Sequence, residues 1–178
     1  DEAGRGPLCG PVCVAACILD PENPVYGIND SKKLTPARRE LLSVKIAEVA
    51  TAIGFCHIAP KDIDEMGMPR AIRTAVAGAV ADTGLEPDCV LLDGNPLGAV
   101  PNERDVVKGD AKIACIAAAS IMAKVTRDEM MVEYDAEYPE YHLAESKGYA
   151  SPEHIEAIRK HGLCPLHLSL IHISEPTR

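Results

Sequence analysis

Apolar and polar residues follow one another along this chain in blocks that predict strands and helices in turn. Residues 10–19, GPVCVAACIL, are apolar, rich in Val and Ala, and bounded by Gly-Pro and Asp-Pro, which predicts a buried strand. Pro36 opens the string PARRELLSVKIAEVATA, with Thr35 as its N-cap, which predicts a helix with a marked start. The predicted apolar face of this helix contains Leu41, Leu42, Ile46 and Val49.

The hydrophobic pattern predicts further strands and helices along the rest of the chain. Further strands are predicted at 53–58, 88–92 and 106–107, and further helices at 69–84, at 112–134 and from Ser151 or Pro152 to about His161. Strands and helices that alternate through short links indicate a single α/β domain around a mixed sheet with flanking helices. The chain has no internal repeat and no low-complexity linker.

Composition narrows the class of protein. With 178 residues and 47% hydrophobic content, the chain is long enough for one buried core, built from Ala, Val, Ile and Leu because aromatic content is only 3%. Seven cysteines without a CxxC pair indicate buried thiols in a reducing cytoplasm. No apolar run approaches the roughly 20 residues of a membrane span, and no signal peptide is recognisable, so no membrane partner is expected.

The net charge of −9 bears on nucleic-acid binding. It argues against a protein that coats nucleic acid nonspecifically, because such binding depends on many Lys and Arg contacts to phosphate. It does not exclude a nuclease, because carboxylates that hold divalent metal add acidic residues while the metal supplies positive charge at the phosphate. The sign of the charge therefore leaves metal-dependent nucleases open.

Four acidic residues occupy positions that are typical of active-site carboxylates. Asp1 and Glu2 precede a Gly-Arg-Gly turn, Asp93 ends an apolar strand, and Asp110 lies in Lys-Gly-Asp before a helix. A carboxylate at the end of a buried strand is where sites in α/β sheets tend to form. Because the chain has 27 acidic residues, spacing alone makes these four only candidates.

Seven strings in fixed order narrow the choice: DEAGRGPLCGPV, INDSKKL, LLDGN, VVKGDAK, AAASIMAKVTRD, KGY and CPLH. Together they closely resemble the bacterial ribonuclease HII family from Asp1 to about His167. The resemblance implies a ribonuclease H-like fold and a quartet of catalytic, metal-binding carboxylates at Asp1, Glu2, Asp93 and Asp110. It also implies two Mg²⁺ or Mn²⁺ ions, hard cations that prefer oxygen ligands and that can activate water and stabilise the leaving oxygen.

The resemblance further implies a set of substrate contacts. Gly4, Arg5 and Gly6 correspond to the motif that brings backbone close to the ribose 2′-hydroxyl, and Tyr149 to the tyrosine that packs on the neighbouring deoxyribose. Phosphate contacts correspond to Asn29, Ser31, Lys32, Ser120 and Lys124. On their own these residues also fit a tight turn, ordinary packing, loop capping and helix solvation. Asp128 is expected to be structural and to pair near Arg127.

Both ends of the chain depart from the family pattern. Residues 168–178, LSLIHISEPTR, resemble the translation of a sequencing-library adaptor, so we expect a catalytic domain at 1–167 and a non-native tail at 168–178. The family has a strand that leads into Asp-Glu, so we expect a missing first strand and Asp1 within a sheet. The free α-amino group of Asp1 is then expected to compete with metal for the Asp1 carboxylate.

The resemblance thus implies a cytoplasmic, monomeric endoribonuclease that acts on RNA/DNA hybrids and on single ribonucleotides embedded in duplex DNA. The expected products carry 3′-hydroxyl and 5′-phosphate ends, which places the enzyme in ribonucleotide excision repair. The sister type III ribonuclease is an alternative that Gly4-Arg5-Gly6 and Tyr149 disfavour. A non-catalytic fragment that only binds hybrids is a second alternative, which Mg²⁺-dependent cleavage would exclude.

Overall fold

The computed structural model describes residues 1–169, in which a three-stranded sheet has helices on both faces. The strands are β1 (Glu2–Ala3), β2 (Val12–Leu19), β3 (Ala50–Ile58), β4 (Val90–Asp93) and β5 (Glu103–Val106). The helices are α1 (Pro36–Val49), α2 (Pro60–Met66), α3 (Met68–Asp82), α4 (Ala114–Glu137), α5 (Leu143–Ser146) and α6 (Pro152–His161). Short 3₁₀ turns occur at Ser31–Lys33, Gly109–Ala111 and Pro139–Tyr141.

Strand β2 is the centre of the fold, because its two faces meet different helices. Side chains alternate along a strand. Val12 and Val14 pack against α3 through residues such as Ala75, whereas Ala15 packs against α1 and α4 through residues such as Leu42 and Ile121. The continuous apolar run predicted at 10–19 is therefore explained by a strand that is covered on both sides.

The predicted start of α1 is confirmed. The Thr35 hydroxyl accepts a hydrogen bond from the Arg38 backbone N–H at 3.3 Å, and Pro36 is the first helical residue. Leu42 and Ile46 are fully buried, but Leu41 is 48% exposed, so its place on the apolar face was wrong. Residue 41 faces solvent because the helix turns about 100° per residue and Leu42 already points at the core.

Other boundaries shift by a few residues. Strand β3 begins at Ala50, directly after α1, so the helical string predicted to extend to 52 ends earlier. The predicted helix 69–84 corresponds to α3, but α2 was not predicted. Helix α3 crosses β3 closely, because a Cβ atom at Gly54 would collide with the Ala79 carbonyl. Strand 106–107 was predicted too late, since β5 ends at Val106.

The strands form two sheets in the described part of the chain. Strands β1, β2 and β3 pair antiparallel, and β4 and β5 pair parallel. Both kinds of pairing therefore occur, as expected from the prediction of a mixed sheet. Between β2 and β4 lies a mainly apolar cavity of about 860 Å³, lined by residues that include Asp1, Cys17, Leu91 and Cys115. This cavity separates the two sheets.

The cysteines and the helices bear on two further predictions. All seven cysteines are free thiols, and Cys9 and Cys13 are buried as predicted, but Cys89 is exposed and the other four are half-buried. Cys89 directly precedes β4 and lines the open cavity, so it is not covered as the core covers Cys9. None of the helices within residues 1–169 has the length and apolar content that a membrane crossing requires.

Candidate active site

Asp1 and Glu2 reach the site from the edge strand of the larger sheet. Asp1 pairs with Ala15 through both backbone groups, and Glu2 lies opposite Val14, so Asp1 directly precedes the edge strand β1, whereas it was predicted to lie within a sheet. The α-amino group of Asp1 donates to the Ala15 carbonyl at 3.0 Å, while the Asp1 carboxylate accepts from the Glu2 backbone N–H at 2.7 Å. The amino group is therefore engaged with Ala15, and these contacts do not support the predicted competition for the carboxylate.

Asp93 is held beside Asp110 by a hydrogen bond to Gly109, the residue that precedes Asp110. Asp93 is the last residue of β4, and its Oδ1 accepts from the Gly109 N–H at 2.6 Å. Gly109 packs closely on α4, because a Cβ atom there would force the end of the Ile116 side chain to move. The next residue, Asp110, is only 7% exposed. Burial raises the pKa of the Asp110 carboxyl, and the charge of Asp93 raises it further.

We call the four residues Asp1, Glu2, Asp93 and Asp110 the acidic cluster, and Asp93 links its two halves, because its charge acts both on Asp110 and on the α-amino group of Asp1. Burial lowers the pKa of the Asp1 α-amino group, while the charges of Glu2 and Asp93 act in the opposite direction. Within residues 1–169, no three carboxylates place oxygens within 4.8 Å of one another. Because unneutralised carboxylates repel, the cluster is an open group of oxygen donors.

The turn at 29–32 lies beside this cluster. Ser31 and Ser120 are both buried, and their hydroxyl oxygens are 2.9 Å apart, which ties the turn to α4. The exposed Lys32 opposes the burial-induced rise in the pKa of Asp110, so its charge acts at the cluster. Asn29 is exposed, and its side-chain oxygen accepts from the Asp30 N–H at 2.8 Å.

The Gly4-Arg5-Gly6 motif has three residues with different roles. Gly4 has a φ of 101°, and a Cβ there would collide with the Pro11 carbonyl and the Arg127 side chain, so only glycine fits. Gly6 is exposed, and its nearest neighbour for an added Cβ is the Tyr149 ring at 3.9 Å. The exposed Arg5 side chain lies 3.8 Å from the Glu2 carboxylate.

Helix α4 supplies the charged residues behind this motif. Lys124 Nζ lies 2.6 Å from an Asp128 carboxylate oxygen, and Arg39 lies 4.0 Å from the other oxygen. Asp128 was predicted to pair near Arg127, but its partners are Lys124 and Arg39. The reason is that Arg127 is fully buried and donates to the carbonyls of Pro11, Cys9 and Lys147 at 2.8–3.0 Å.

Tyr149 stands over these side chains. Its side chain is partly exposed, at 46% for the residue, with Lys124 Nζ 5.7 Å and the Arg127 guanidinium carbon 6.0 Å from the ring centroid. Gly6 lies against the same ring. The structure therefore places Tyr149, Gly4, Gly6 and Lys124 together, whereas the turn at 29–32 lies with the acidic cluster.

Sequence reasoning missed the residues that hold Tyr149 in place. Arg127 was considered only as a partner of Asp128, and His154 and His167 were not assigned to any site. A signal for Arg127 was available, since Ala123 four residues before it and Met131 four residues after it are apolar, which places Arg127 on the apolar face of the helix. No local pattern identified His154, because its partners come from residues 149 and 167.

Comparison with known proteins adds independent evidence. The family model described as ribonuclease HII matches residues 1–174. Ribonuclease HII of Ruminiclostridium cellulolyticum is 48% identical over 168 residues, which cover 94% of this chain and 66% of that protein. Ribonuclease HII of Idiomarina loihiensis is 47% identical over 169 residues, which cover 94% of this chain and 90% of that protein.

A solved structure agrees with these matches. The crystal structure of ribonuclease H2 from Pyrococcus horikoshii OT3 superposes with a TM-score of 0.78 at 28% identity and covers 94% of this chain and 89% of that one. The family match is to the type II enzymes, which decides against the sister type III alternative. The chain therefore belongs to the ribonuclease HII family, divalent-metal-dependent endoribonucleases that hydrolyse the RNA-containing strand of RNA/DNA hybrids.

Proposed function

We propose that this chain cuts RNA with two divalent cations, Mg²⁺ or Mn²⁺, held by Asp1, Glu2, Asp93 and Asp110. The observation that carries the proposal is the buried Asp110 carboxyl next to Asp93, where burial and like charge raise its pKa. A protein keeps such a pair only when something compensates the charge. The cluster offers oxygen donors alone, which are the ligands that hard cations prefer, so these residues fit the ions.

The chain's own residues orient the site. When bound, such a cation pair activates a water molecule and stabilises the leaving oxygen. The Gly109 N–H holds Asp93 Oδ1, which fixes the direction of that carboxylate. Pairing with β2 fixes the backbone of Glu2, so the cations would have to draw in only side chains and not whole segments. Such pre-organisation reduces the entropy lost when the reacting groups are brought together.

The turn at 29–32 and helix α4 are proposed to grip the phosphate backbone. Lys32 supplies an exposed positive charge beside Asp110, and Asn29 an exposed amide. The hydrogen bond between Ser31 and Ser120 keeps turn and helix in register. Lys124 lies nearer to Tyr149, where it would meet the next phosphate along the strand. Phosphate contacts of this kind position a substrate without reading its sequence.

Gly4, Arg5, Gly6 and Tyr149 are proposed to read the junction between ribose and deoxyribose. A Cβ atom added at Gly6 would lie 3.9 Å from the Tyr149 ring, so adjacent sugars could be tested by the Gly6 backbone on one side and by the ring on the other. The 2′-hydroxyl is the group that distinguishes RNA from DNA at one position. Arg5 pairs with Glu2 in the free protein and would have to release it to contact substrate.

The decisive experiment is cleavage of a duplex with a single embedded ribonucleotide. With Mg²⁺ or Mn²⁺, we expect nicking that leaves 3′-hydroxyl and 5′-phosphate ends, and no nicking with a chelator. Asp93→Asn, which removes one charge of the cluster, should be inactive and so excludes a contaminating nuclease. Binding of the duplex without metal-dependent nicking would instead establish the non-catalytic alternative.

Tyr149→Ala tests the reading of the junction. It should remove the packing surface and cost about 1–3 kcal/mol, as lost base-stacking aromatics do, on the single-ribonucleotide duplex more than on an all-RNA strand. Leu163→Ala is a matched control, since Leu163 is also partly exposed, at 51%, and is not part of the proposed site. Equal loss of cleavage on both substrates would mean that Tyr149 supports the fold only.

We also propose that the chain acts as a monomer in the cytoplasm, with RNA/DNA hybrids and ribonucleotide-containing duplex DNA as its partners. Free thiols at all seven cysteines fit a reducing compartment. Light scattering during gel filtration should give a mass near 19.0 kDa. A mass twice as large would contradict the monomer.

The cavity between β2 and β4 supports the proposal of a missing first strand that leads into Asp1. The cavity is apolar, borders Asp1 and separates two sheets, which is where such a strand would pair with β2 and β4. An N-terminal extension of alternating Val and Ile should therefore raise the melting temperature by several degrees, and a Gly-Ser extension of equal length should not. Equal melting temperatures would contradict the strand.

The native domain is proposed to span 1–167 and the tail 168–178. Against this boundary, Leu168 packs on the core and its N–H donates to the Leu8 carbonyl at 3.0 Å, and the Ser169 N–H donates to Asp64. Residues 170–178 lie outside the described residues. Deletion of 168–178 should leave the melting temperature unchanged within error, and a drop of several degrees that is absent on deletion of 170–178 would move the boundary to 169.

A further inference from the structure

The loop that carries Tyr149 is held by its backbone carbonyls. In residues 147–149, three successive carbonyls accept hydrogen bonds from three separate segments. Lys147 O accepts from Arg127 Nη1, Gly148 O from the Leu8 N–H, and Tyr149 O from His154 Nδ1, each at 2.8 Å. Tyr149 O also accepts from the Ser151 N–H at 2.8 Å. The ring that faces substrate is therefore attached to a fixed backbone.

The His154 side chain is the first member of a hydrogen-bond network that continues through His167. The partners in this network allow only one placement of the imidazole protons. A carbonyl oxygen can only accept, so His154 Nδ1 must carry a proton. In neutral His154 the Nε2 atom then accepts, and its partner His167 Nε2, 3.1 Å away, must donate. His167 Nδ1 is then an acceptor, and the Cys164 N–H does donate to it at 3.0 Å. With this placement of protons, every donor in the network meets an acceptor.

Both histidines are buried, at 0% exposure for His154 and 6% for His167. Burial, reinforced by the neighbouring His154, lowers the pKa of His167 to about 4. His167 is therefore neutral near pH 7, as the order of protons requires. The Tyr141 ring, itself buried, packs edge-on against both imidazoles.

The same residues also resemble a metal site, because the Cys9 thiol and one nitrogen of each histidine lie within 4.8 Å of one another. A cation on His167 Nε2 would have to displace its proton while Nδ1 still accepts from the Cys164 N–H. His167 would then be an anionic imidazolate in an apolar core, which is costly. The hydrogen bonds therefore favour a role that depends on protons and not on metal.

We propose that His154, held in one tautomer by His167, is a positioning residue for Tyr149 and thereby sets the preference for RNA–DNA junctions. The proposal rests on the proposed role of Tyr149. Removing the ordered donor leaves Tyr149 O with the Ser151 N–H alone, so the loop persists but loses its fixed angle. The preference should therefore fall more than the stability of the fold.

Long-range proton–nitrogen NMR tests the arrangement directly. In the wild-type chain at pH 7, the spectrum should show His154 protonated on Nδ1 and His167 on Nε2. His154 protonated on Nε2 would overturn the proposal, whatever the activity of the enzyme. His167→Leu removes the donor to His154 Nε2, and His154 should then show a mixture of both tautomers.

Cleavage of two substrates tests the consequence. The ratio of cleavage at a single ribonucleotide to cleavage within an all-RNA strand should fall about threefold to tenfold in His154→Leu, the value of one net hydrogen bond. His154→Asn, whose amide nitrogen can occupy the place of Nδ1, should restore most of the ratio. The exposed His57 provides the control variant His57→Leu, which should leave the ratio unchanged.

The outcomes separate the two levels of the proposal. If Tyr149→Ala leaves the ratio unchanged, the proposed role of Tyr149 fails. If Tyr149→Ala lowers the ratio and His154→Leu does not, only the positioning role fails. Should His154→Leu not fold, His167→Leu must lower the ratio while His167→Gln, which keeps a donor near Nε2, preserves it; equal ratios in these two variants would overturn the proposal.

Discussion

The acidic cluster and the loop at 147–149 are neighbouring parts of one proposed site, yet they are built in opposite ways. In the loop, each carbonyl has a donor, and the buried Arg127 meets three acceptors. In the cluster, the charge of Asp93 acts on Asp110, which is buried with a raised pKa. The loop is complete in the free protein, whereas the cluster retains unneutralised charge.

The difference reflects what each region has to bind. A surface that recognises the shape of a sugar gains affinity when it is rigid beforehand, because ordering on binding costs free energy. A site for divalent cations must instead present excess negative charge, because the ligands have to replace the water shell of the ion. The free protein is therefore expected to be stabilised by the loop and destabilised by the cluster.

The largest expected effect is that of Asp110→Asn, which should lower the rate of cleavage and raise the stability of the metal-free protein. Asp110→Asn should lower cleavage on the order of a thousandfold, because loss of a carboxylate removes several kcal/mol of transition-state stabilisation. It should also raise the melting temperature of the metal-free protein, because it removes the buried charge that Asp93 opposes. Calorimetry with and without Mn²⁺ checks this, since the ion should stabilise the wild-type chain more than the variant.

Asp105→Asn is the matched control, because Asp105 is an exposed acid on β5 outside the cluster. This variant should keep its cleavage rate, and its melting temperature should not rise. A lower metal-free melting temperature in Asp110→Asn would contradict the view that the cluster is destabilising, even if activity is lost.

A second prediction tests the rigidity of the loop side. Gly4→Ala should destabilise the fold by about 3 kcal/mol, because it forces a left-handed backbone on alanine and drives a methyl group into Pro11 and Arg127. Gly6→Ala meets only the Tyr149 ring at an ordinary distance and should change stability by less than about 0.5 kcal/mol. Urea unfolding measures both, and equal losses would mean that the motif does not depend on the Arg127 contact.

The two regions should also respond oppositely to acid. The folded pKa of His167 is lowered to about 4 from the ordinary 6.5, so the unfolded chain binds more protons between these values. The contribution of His167 is complete above pH 6.5 and is lost as the pH falls towards 4. The raised pKa of Asp110 has the opposite sign, because the folded state then takes up the proton more readily. Protonation of that carboxyl therefore relieves a destabilising charge as the pH falls.

Urea unfolding at pH 7 and pH 4.5 separates these contributions. His167→Gln should reduce the loss of stability between the two pH values, and Asp110→Asn should increase it. His167 is surrounded by His154, Cys9, Cys164 and Tyr141, so His154→Asn serves as the control for loss of one imidazole from this group. Identical pH dependence in wild type and His167→Gln would contradict the assignment.

The sequence predicted those parts of the fold that local patterns determine. The apolar run of β2, the capped start of α1 and the end of β4 at Asp93 all depend on near neighbours and were placed correctly. The exposed Leu41 and the unpredicted α2 depend on which face the core covers, which is a tertiary property. Propensity is overridden by packing in such cases.

The same distinction applies to the site. Motif order selected the four acids among 27, which spacing alone did not. Glu103 shows why: it is also an acid in a strand next to β4, but its carboxylate accepts from four backbone N–H groups at 97–100 and is structural. The supports of Tyr149 were missed because Arg127 and His154 reach it across separate segments.

The smallest expected effect concerns the Tyr149 hydroxyl, which tests whether the loop recognises a sugar by shape alone. Within residues 1–169 this hydroxyl has no hydrogen-bond partner, and the ring is located by the backbone of the loop and by Arg127 and Lys124 beneath it. If the loop recognises a sugar by shape, Tyr149→Phe keeps the ring and should change junction cleavage less than about twofold, since no net hydrogen bond of roughly 1 kcal/mol is lost. A tenfold loss in steady-state cleavage, with an unchanged melting temperature, would mean that the hydroxyl contacts substrate. The loop would then resemble the acidic cluster, with a polar group that finds its partner only on binding.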